Sequence, residues 1–413
     1  MKRTLIYGAI WVVTFHEIFV RSFKTGAGGL RSLQRPRRKS VESICGKKLG
    51  SQMIKSQLLG SGRQAGPLKS TLEEPAPCLP LNSSTLVDPD CACQVVDHYV
   101  DTNHVHIHYV DVTDGLEVDK NLPPVIILHG MFGSSRNLVR WAKNLASELS
   151  VPRKIIVMDL RNHGQSEWLD SMTYFELASD ILQIYKKEGF ESAILVGHSL
   201  GGKIACQLAL RCSRRVSGLV ALDVAPVAYS PDKDQGWFAI TNSLERLANL
   251  PLGMVTTKAE ADRLLQAHIP DDAKRAFCLT QLQPDPHTKR LRWTLNIRAL
   301  QSNIDELASF DTSDLDFQSA YHADTLFIAA EQSAFLRPGD LAAMNALFPG
   351  HDLKTVKGAG HWVHIDAPER TLELVSKYID HMADTQHHET EELPSRQQSL
   401  PASESYYSIS SHG

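Results

Sequence analysis

The chain is predicted to fold as an α/β protein in which helices cover both faces of a mostly parallel β-sheet and one helical lid is inserted. Short runs rich in β-branched residues alternate with longer stretches of helical period, a pattern typical of a parallel sheet covered on both faces. One interval of about a hundred residues keeps an amphipathic helical pattern and is far longer than the loops usual in such folds. These two observations predict the fold class.

The elements follow in order along the chain. VVDHYV and HVHIHYVDV predict an opening hairpin, after which the buried-strand candidates are VIILHG near 125, KIIVMDL near 154, AILVGHS near 193, GLVALDV near 218, TLFIAAE near 325 and LKTVKGAGH near 353. Helices are predicted over 137–150, 174–188, 200–211, 341–347 and 368–382. The long interval, residues 226–320, is predicted to be a helical lid, because insertions at the carboxyl ends of parallel strands usually cover a ligand crevice.

The polar ends bound a single folded domain over residues 94–383. Residues 1–63 form a basic extension that is predicted to be a targeting segment, and residues 64–93 are rich in proline and predict a linker. From residue 384 to 413 polar residues dominate and no apolar period survives, which predicts a disordered tail.

Charge is distributed unevenly between the amino-terminal segment and the rest. The net charge is −4, but residues 1–72 carry 14 Lys or Arg and two acids, which leaves about −16 on the remainder. An acidic body argues against nucleic-acid binding.

The apolar stretch from Leu5 to Phe15 is shorter than the ~20 residues that cross a bilayer. An acid-poor, Arg- and Ser-containing start favours import into an organelle, with the mitochondrion preferred and plastid, cytoplasm or a plain basic extension left open.

The segment Gly197-His198-Ser199-Leu200-Gly201 carries the most chemical information. It has the form G-x-S-x-G, it follows an apolar strand and it precedes a helical run, which is the context of a nucleophile elbow. Side chains at 197 and 201 are expected to collide with their neighbours in the compressed turn, and Ser199 is expected to adopt strained backbone angles. Ser199 is therefore the candidate nucleophile.

A serine hydroxyl needs a base, and in this fold the base is a histidine after the last strand. His361 in GAGHW follows the predicted final strand and is the candidate base. His364, three residues further on, is better interpreted as a residue of a pocket wall or of a helix entry.

More than one carboxylate could orient the base. The loop after the penultimate strand, where such an acid is commonly found, has Ser333 at the expected position and Glu331 two residues earlier. Asp223 ends the strand that follows the nucleophile strand and is the preferred candidate. Glu331, an acid of the lid such as Asp305 or Asp311, a Ser-His dyad, and an Asp223 that only caps its loop remain alternatives.

Two backbone N–H groups are expected to stabilise the oxyanion. Leu200, directly after the nucleophile, supplies the first, and the loop His129–Gly133 supplies the second, with the Met131 amide favoured over that of Phe132.

Other polar clusters are interpreted as structural. The segment from Asp159 to Ser166 is typical of a tight turn, and His104, His106 and His108 are expected to share an exposed hairpin face. The seven cysteines contain no C-x-x-C pair, which argues against a structural zinc site, and no metal or cofactor is predicted.

Five phrases in this order, spread over about 290 residues, resemble the α/β-hydrolase superfamily: LHGMFG, DLRNHGQS, VGHSLGGK, ALDVAP and GAGHWVHIDAPE. HGMFGSSRN, GHSLGGK and LDVAPVAY more narrowly resemble YbfF-type esterases and α/β-hydrolase domain-containing protein eleven. The resemblance implies hydrolysis of carboxylic esters or thioesters of short or medium acyl chains, small-molecule substrates and no cofactor. Protein partners are not indicated.

Two other functions remain open from the residues. His361 to Asp366 also reads H-x-x-x-x-D, a pattern found in some acyltransferases. A non-catalytic receptor or scaffold on the same fold is the third possibility, because fold does not imply function.

Overall fold

The structure is a computed structural model that describes residues 96–101, 105–313 and 320–391. The targeting segment and the linker predicted for residues 1–93 lie outside these residues, as does the tail from 392 onward. The strands of the described part are β1 (Val96–Asp101), β2 (His106–Asp111), β3 (Val125–Leu128), β4 (Ile155–Met158), β5 (Ala193–His198), β6 (Val216–Leu222), β7 (Leu282–Pro284), β8 (Leu291–Trp293), β9 (Thr325–Ala330) and β10 (His351–Val356).

Eight of these strands form one sheet in the order β1-β2-β4-β3-β5-β6-β9-β10. β1 pairs with β2, and β2 with β4, in antiparallel fashion, whereas the other neighbours are parallel. β5, β6, β9 and β10 are consecutive in the sheet, so the loops that follow them leave from one edge. That edge carries Ser199, Asp223 and His361, the preferred candidates for the serine, the acid and the base.

The helices of the described part are α1 (Ser135–Glu148), α2 (Tyr174–Glu188), α3 (Leu200–Arg211), α4 (Gln235–Ala248), α5 (Lys258–Gln266), α6 (Asp272–Leu279), α7 (Ile297–Ser302), α8 (Ile304–Ala308), α9 (Leu341–Leu347), α10 (Val363–Asp366) and α11 (Pro368–Glu391). Local chemistry sets several of their ends. Thr173 and Glu176 form a capping box at the start of α2, and Gly189 ends this helix at φ 77°. None of the helices in the described ranges has an apolar stretch long enough to cross a bilayer.

Strand alternation divides the core into two layers. Ile126 and Leu128 of β3 belong to one buried cluster, together with apolar residues of α2 and α3. Val125 and Ile127 belong to the other cluster, together with apolar residues of α1 and α11. Because successive strand side chains point to opposite faces, this alternation puts helices on both sides of the sheet. The predicted fold class is confirmed.

The inserted segment between β6 and β9 differs from the purely helical prediction. It contains helices α4 to α8, but also the antiparallel pair β7 and β8. The Asp285 carboxylate accepts hydrogen bonds from the N–H groups of His287 and Thr288, which closes the turn between the two strands. The apolar period alone did not reveal this hairpin, because each strand has three residues.

Two further predictions are corrected by the structure. Helix α11 continues to Glu391, beyond the boundary at 383, because a formed helix can extend by backbone hydrogen bonds after its apolar period ends. His108 is buried and not on an exposed face, since its Nδ1 lies 2.7 Å from Asp159 Oδ2 and its Nε2 lies 3.0 Å from Asp97 Oδ1. His104 lies outside the described residues.

Candidate active site

Ser199 occupies a compressed turn between β5 and α3. Its backbone has φ 51° and ψ −115°, a region that non-glycine residues rarely adopt. A Cβ added at Gly197 would come within 2.4 Å of the Gly201 backbone, and one at Gly201 would come within 2.4 Å of the Leu128 carbonyl oxygen. The turn is therefore as crowded as the sequence predicted, the Ser199 backbone is strained, and the Ser199 side chain lies at the sheet edge.

His361 lies in the loop between β10 and α10 and bridges the other two predicted residues. Its Nε2 lies 3.0 Å from Ser199 Oγ, and its Nδ1 lies 2.7 Å from Asp223 Oδ2. A carboxylate can only accept, so Nδ1 carries the proton and Nε2 is the nitrogen able to take one from the serine. The three side chains thus form one continuous hydrogen-bonded line.

Asp223 is completely buried at the end of β6, with φ 49°. Its Oδ1 accepts a hydrogen bond from the Ala330 N–H at 3.0 Å, while its Oδ2 accepts from His361 and from the Ser333 hydroxyl. A buried carboxylate needs such donors to compensate for lost hydration. Ser333, noted in the sequence only as a departure from the usual acid position, therefore contacts the acid directly.

The loop that carries His361 is held by two other carboxylates. Glu331 Oε2 accepts from the Gly358 N–H at 2.9 Å, and Asp366 Oδ2 accepts from the Gly360 N–H at 2.8 Å. Glu331, an alternative for the orienting acid, thus bonds the loop backbone rather than the imidazole. Asp366, the last residue of the H-x-x-x-x-D pattern, does the same at the other side of the loop.

The two alternative acids in the inserted segment, Asp305 and Asp311, do not hydrogen-bond His361 either. Asp305 is exposed in the first turn of α8. Asp311 Oδ1 accepts from the Ser313 N–H at 2.9 Å within its own loop. Of the acids weighed from the sequence, Asp223 is the one that the structure brings to His361.

His198 is a neighbour of the base that the sequence interpretation missed, because it stands at a variable position of G-x-S-x-G. Its Nε2–H donates to the His361 carbonyl oxygen at 2.8 Å, and its ring lies 4.8 Å from that of His361 and 4.7 Å from that of His364. Burial lowers the pKa of His198 well below its usual value and lowers the pKa of His364 to about 3. Both neighbours are therefore neutral near pH 7 and do not repel a protonated His361.

The loop predicted to supply the second oxyanion donor abuts the nucleophile. A Cβ added at Gly130 would come within 3.1 Å of Ser199 Cβ, and the Gly133 N–H donates to the Gly130 carbonyl at 3.0 Å. Leu200 begins α3, so its N–H has no partner within the helix. Met131 and Leu200 both border the crevice that contains Ser199. This arrangement can present two main-chain N–H groups to a carbonyl bound beside the serine.

A narrow crevice opens beside Ser199. Apart from the serine and one lysine, Lys203, its walls are apolar or aromatic, and the inserted segment contributes Tyr229, Trp237, Ile240 and Leu307. Phe335, also in the wall, stacks on His361 with ring centroids 4.0 Å apart. Such a narrow crevice suits an acyl chain better than a bulky group.

One trio of potential metal ligands occurs in the described ranges, remote in the chain from these residues. Ligand atoms of His98, Asp111 and Asp114 lie within 4.8 Å of one another. Asp111 is already engaged, because its Oδ2 lies 3.2 Å from Lys154 Nζ and its Oδ1 accepts from Thr113. A lysine ammonium at this carboxylate opposes binding of a cation.

The fold is that of an α/β hydrolase, and comparison with known proteins agrees. Residues 123–368, more than half of the chain, match the alpha/beta hydrolase fold family. The chain belongs to this family.

Individual proteins similar to this chain indicate a narrower class within the family. The sn-1-specific diacylglycerol lipase ABHD11 of Mus musculus is 31% identical over 265 residues, which cover 64% of this chain and 83% of that protein. Esterase YbfF of Escherichia coli (strain K12) is 27% identical over 260 residues, covering 63% and 94%. The solved structure of a marine microorganism esterase superposes with a TM-score of 0.60 at 26% identity, covering 66% of this chain and 98% of that chain. The predicted resemblance is confirmed, and the chain is a hydrolase of the esterase and lipase type.

Another relative bears on the acyltransferase alternative. A probable alcohol acetyltransferase of Saccharomyces cerevisiae (strain ATCC 204508 / S288c) is 28% identical over 276 residues, covering 64% of this chain and 79% of that protein. Family membership therefore does not by itself separate water from an alcohol as the acyl acceptor.

Proposed function

We propose that the protein hydrolyses carboxylic esters or thioesters of short or medium acyl chains through an acyl-enzyme on Ser199. The observation that carries the proposal is the unbroken hydrogen-bonded line from Ser199 through His361 to Asp223 beside an apolar crevice. The similarity to a diacylglycerol lipase and to an esterase supports ester hydrolysis as the reaction class.

In the first half of the reaction, Ser199 Oγ attacks the carbonyl carbon while its proton passes to His361 Nε2. Asp223 accepts the Nδ1–H bond throughout and stabilises the imidazolium that forms. The carbonyl oxygen becomes an oxyanion, for which the Met131 and Leu200 amides are the proposed donors. The imidazolium then donates its proton to the leaving alcohol or thiol as the tetrahedral intermediate collapses.

In the second half, water attacks the acyl-Ser199 carbonyl and gives its proton to His361. The second tetrahedral intermediate collapses to the carboxylic acid product, and the proton returns to Ser199 Oγ. Every bond made and broken is accounted for by these groups, without a metal or a redox cofactor.

The test uses the full chain with p-nitrophenyl butyrate and a fluorophosphonate probe. Ser199→Ala is expected to abolish both ester hydrolysis and labelling, while an alanine at Ser166, in the turn after β4, leaves labelling in place. Hydrolysis and labelling that persist in Ser199→Ala would reject the proposal. A wild-type protein that shows no burst of acylation, yet is stabilised thermally by acyl ligands, would favour a non-catalytic receptor.

Acyl transfer to an alcohol is the second candidate, favoured by the acetyltransferase relative. Its sequence signal is weakened, because Asp366 of the H-x-x-x-x-D pattern bonds the Gly360 amide and thereby holds the histidine loop. Product analysis with water and an alcohol acceptor in competition distinguishes the two. Hydrolysis predicts mostly free acid at moderate alcohol concentrations, and transfer predicts mostly the new ester.

We also propose that residues 1–63 direct the protein to mitochondria, on the basis of their basic, acid-poor composition. Fluorescent fusions of the full chain and of a chain without these residues test this. Loss of mitochondrial signal on deletion supports import, and identical distributions reject it.

A further inference from the structure

Lys203 is a buried ammonium group in the wall of the crevice that contains Ser199. Its side chain belongs to a residue that is 2% exposed, and it lies four residues, about one helical turn, beyond the nucleophile on α3. The remaining walls of the crevice are apolar or aromatic apart from the serine, so this lysine is the basic side chain of the crevice wall.

The surroundings of Lys203 offer dipoles and rings rather than a counter-ion. Its Nζ donates to the carbonyl oxygens of Ala308 at 2.9 Å and Leu307 at 3.3 Å, and it lies 4.7 Å from the centre of the Tyr229 ring. Within the described ranges, no carboxylate pairs with it, and Cys206 is the titratable neighbour that favours its charged form. Burial lowers the pKa of Lys203 to about 7.

The two carbonyls do not require this lysine as a helix cap. Leu307 O also accepts from the Tyr174 hydroxyl at 2.8 Å, and Ala308 O also accepts from the Tyr229 N–H at 2.9 Å. Both orphan acceptors at the end of α8 therefore have a donor without Lys203. An apolar side chain of similar length would fill the same space without the penalty of burying a charge. The packing of the fold around this side chain therefore does not require a lysine.

We propose that Lys203 binds a carboxylate at the far end of the acyl chain, so that the protein prefers acyl esters or thioesters of dicarboxylic acids. This proposal rests on the proposed hydrolase function, since it concerns the substrate of the same serine. The distal carboxylate takes no part in bond breaking. It supplies the missing counter-ion of the buried ammonium, and a charge-assisted hydrogen bond in a crevice shielded from water is stronger than one between neutral groups.

The test compares thioesters of N-acetylcysteamine on the full-length protein. Glutaryl, adipoyl and suberoyl thioesters are each paired with the neutral acyl chain of equal carbon number, and kcat and KM are measured for both. The wild type is expected to prefer the carboxylated member of at least one pair by about tenfold or more in kcat/KM, mainly through a lower KM. A wild type that prefers the neutral member of every pair overturns the proposal without any variant.

Two variants assign the preference to the lysine. Lys203→Met removes the charge at similar length, and Lys203→Gln removes the charge but keeps N–H donors for the Leu307 and Ala308 carbonyls. Both are expected to lose the preference by about tenfold or more. Lys377→Met, at an exposed lysine of α11 that pairs with Glu373, is the matched control and is expected to retain it. Fluorophosphonate labelling of Ser199 verifies that each variant is folded.

The outcomes separate the two proposals. Absence of hydrolysis for every thioester in the wild type rejects the hydrolase function. Hydrolysis of both members of each pair at equal rates leaves that function standing and rejects the dicarboxylic substrate. A preference that survives in both Lys203 variants shows that another group binds the carboxylate and rejects the role of Lys203.

Discussion

Ser333 donates its hydroxyl to Oδ2 of Asp223, the same oxygen that accepts the Nδ1–H of His361. The loop after β9 thus contributes a hydroxyl to a carboxylate that is supplied by β6. Ser333 therefore occupies the loop position where the acid is commonly found, and it donates a hydrogen bond to the acid instead.

Ser333→Ala is expected to lower kcat/KM for a short p-nitrophenyl ester by about tenfold, because a hydrogen bond to a buried carboxylate is lost. Initial rates over a range of substrate concentrations check this loss. Ser376→Ala on α11 serves as control, and a kcat/KM equal to that of the control contradicts the expectation.

Replacing Asp223 by Asn should reduce kcat by about 10⁴-fold, since the amide can no longer fix the tautomer in which Nδ1 carries the proton. Glu331→Gln should cost about tenfold or less, because Glu331 holds the Gly358 amide and not the imidazole. Burst kinetics of acylation in the two variants give the comparison. Equal losses, or a larger loss in the Glu331 variant, would require a different acid.

Gly201→Ala should destabilise the protein by about 3 kcal/mol, because the new Cβ would come within 2.4 Å of the Leu128 carbonyl oxygen. Gly253→Ala is the matched control, since a Cβ there meets nothing within 4 Å. Urea unfolding gives the free energy of unfolding of both variants. Two curves with the same midpoint would mean that the elbow relaxes freely and is not compressed.

His364 is expected to make stability dependent on pH. Burial lowers the pKa of His364 to about 3 in the folded protein. Below about pH 6.5 this histidine is therefore protonated in the unfolded chain but stays neutral in the folded protein. The contribution to stability is therefore complete above the unfolded pKa and is lost as the pH falls toward 3. His364→Phe should reduce the slope of unfolding free energy against pH by about 1.4 kcal/mol per unit in this window.

Unfolding in urea at pH 7, 6 and 5 measures that slope. The substitution removes a ring whose Nδ1 has no hydrogen-bond partner in the described part of the protein, so no bond to it is broken. His287→Gln, at an exposed turn, is the control. Unchanged slopes in both variants would show that His364 does not resist protonation.

The sheet and the positions of Ser199 and His361 could be predicted because each depends on short-range signals. Apolar runs give the strands β3 to β6, β9 and β10, and the glycines at 197 and 201 fix the elbow by steric exclusion. Chain order then predicts which loops share an edge. Asp223 could be preferred from the same reasoning, since it ends the strand next to the nucleophile strand.

What could not be predicted depends on contacts between distant segments. Burial of His108 is made possible by Asp159, which lies 51 positions away, and no local pattern reports that pairing. The contact of Ser333 with Asp223 spans 110 positions. Lys203 reads as an ordinary polar residue of a helix, and its burial follows from packing of α8 and Tyr229 over it. Side-chain environments of this kind require the tertiary structure.

The nucleophile and the acid follow two adjacent strands of the sheet, β5 and β6. The Ser199 N–H donates to the Leu222 carbonyl at 3.0 Å, so main-chain hydrogen bonds connect the ends of these strands directly. Their separation is therefore set by one ladder of main-chain bonds and does not depend on the segment 226–320, which begins only afterwards. We therefore expect that this segment can be exchanged between family members. Replacing it with the corresponding piece of another family member should change which molecules are accepted, while the spacing between Ser199 and Asp223 stays the same.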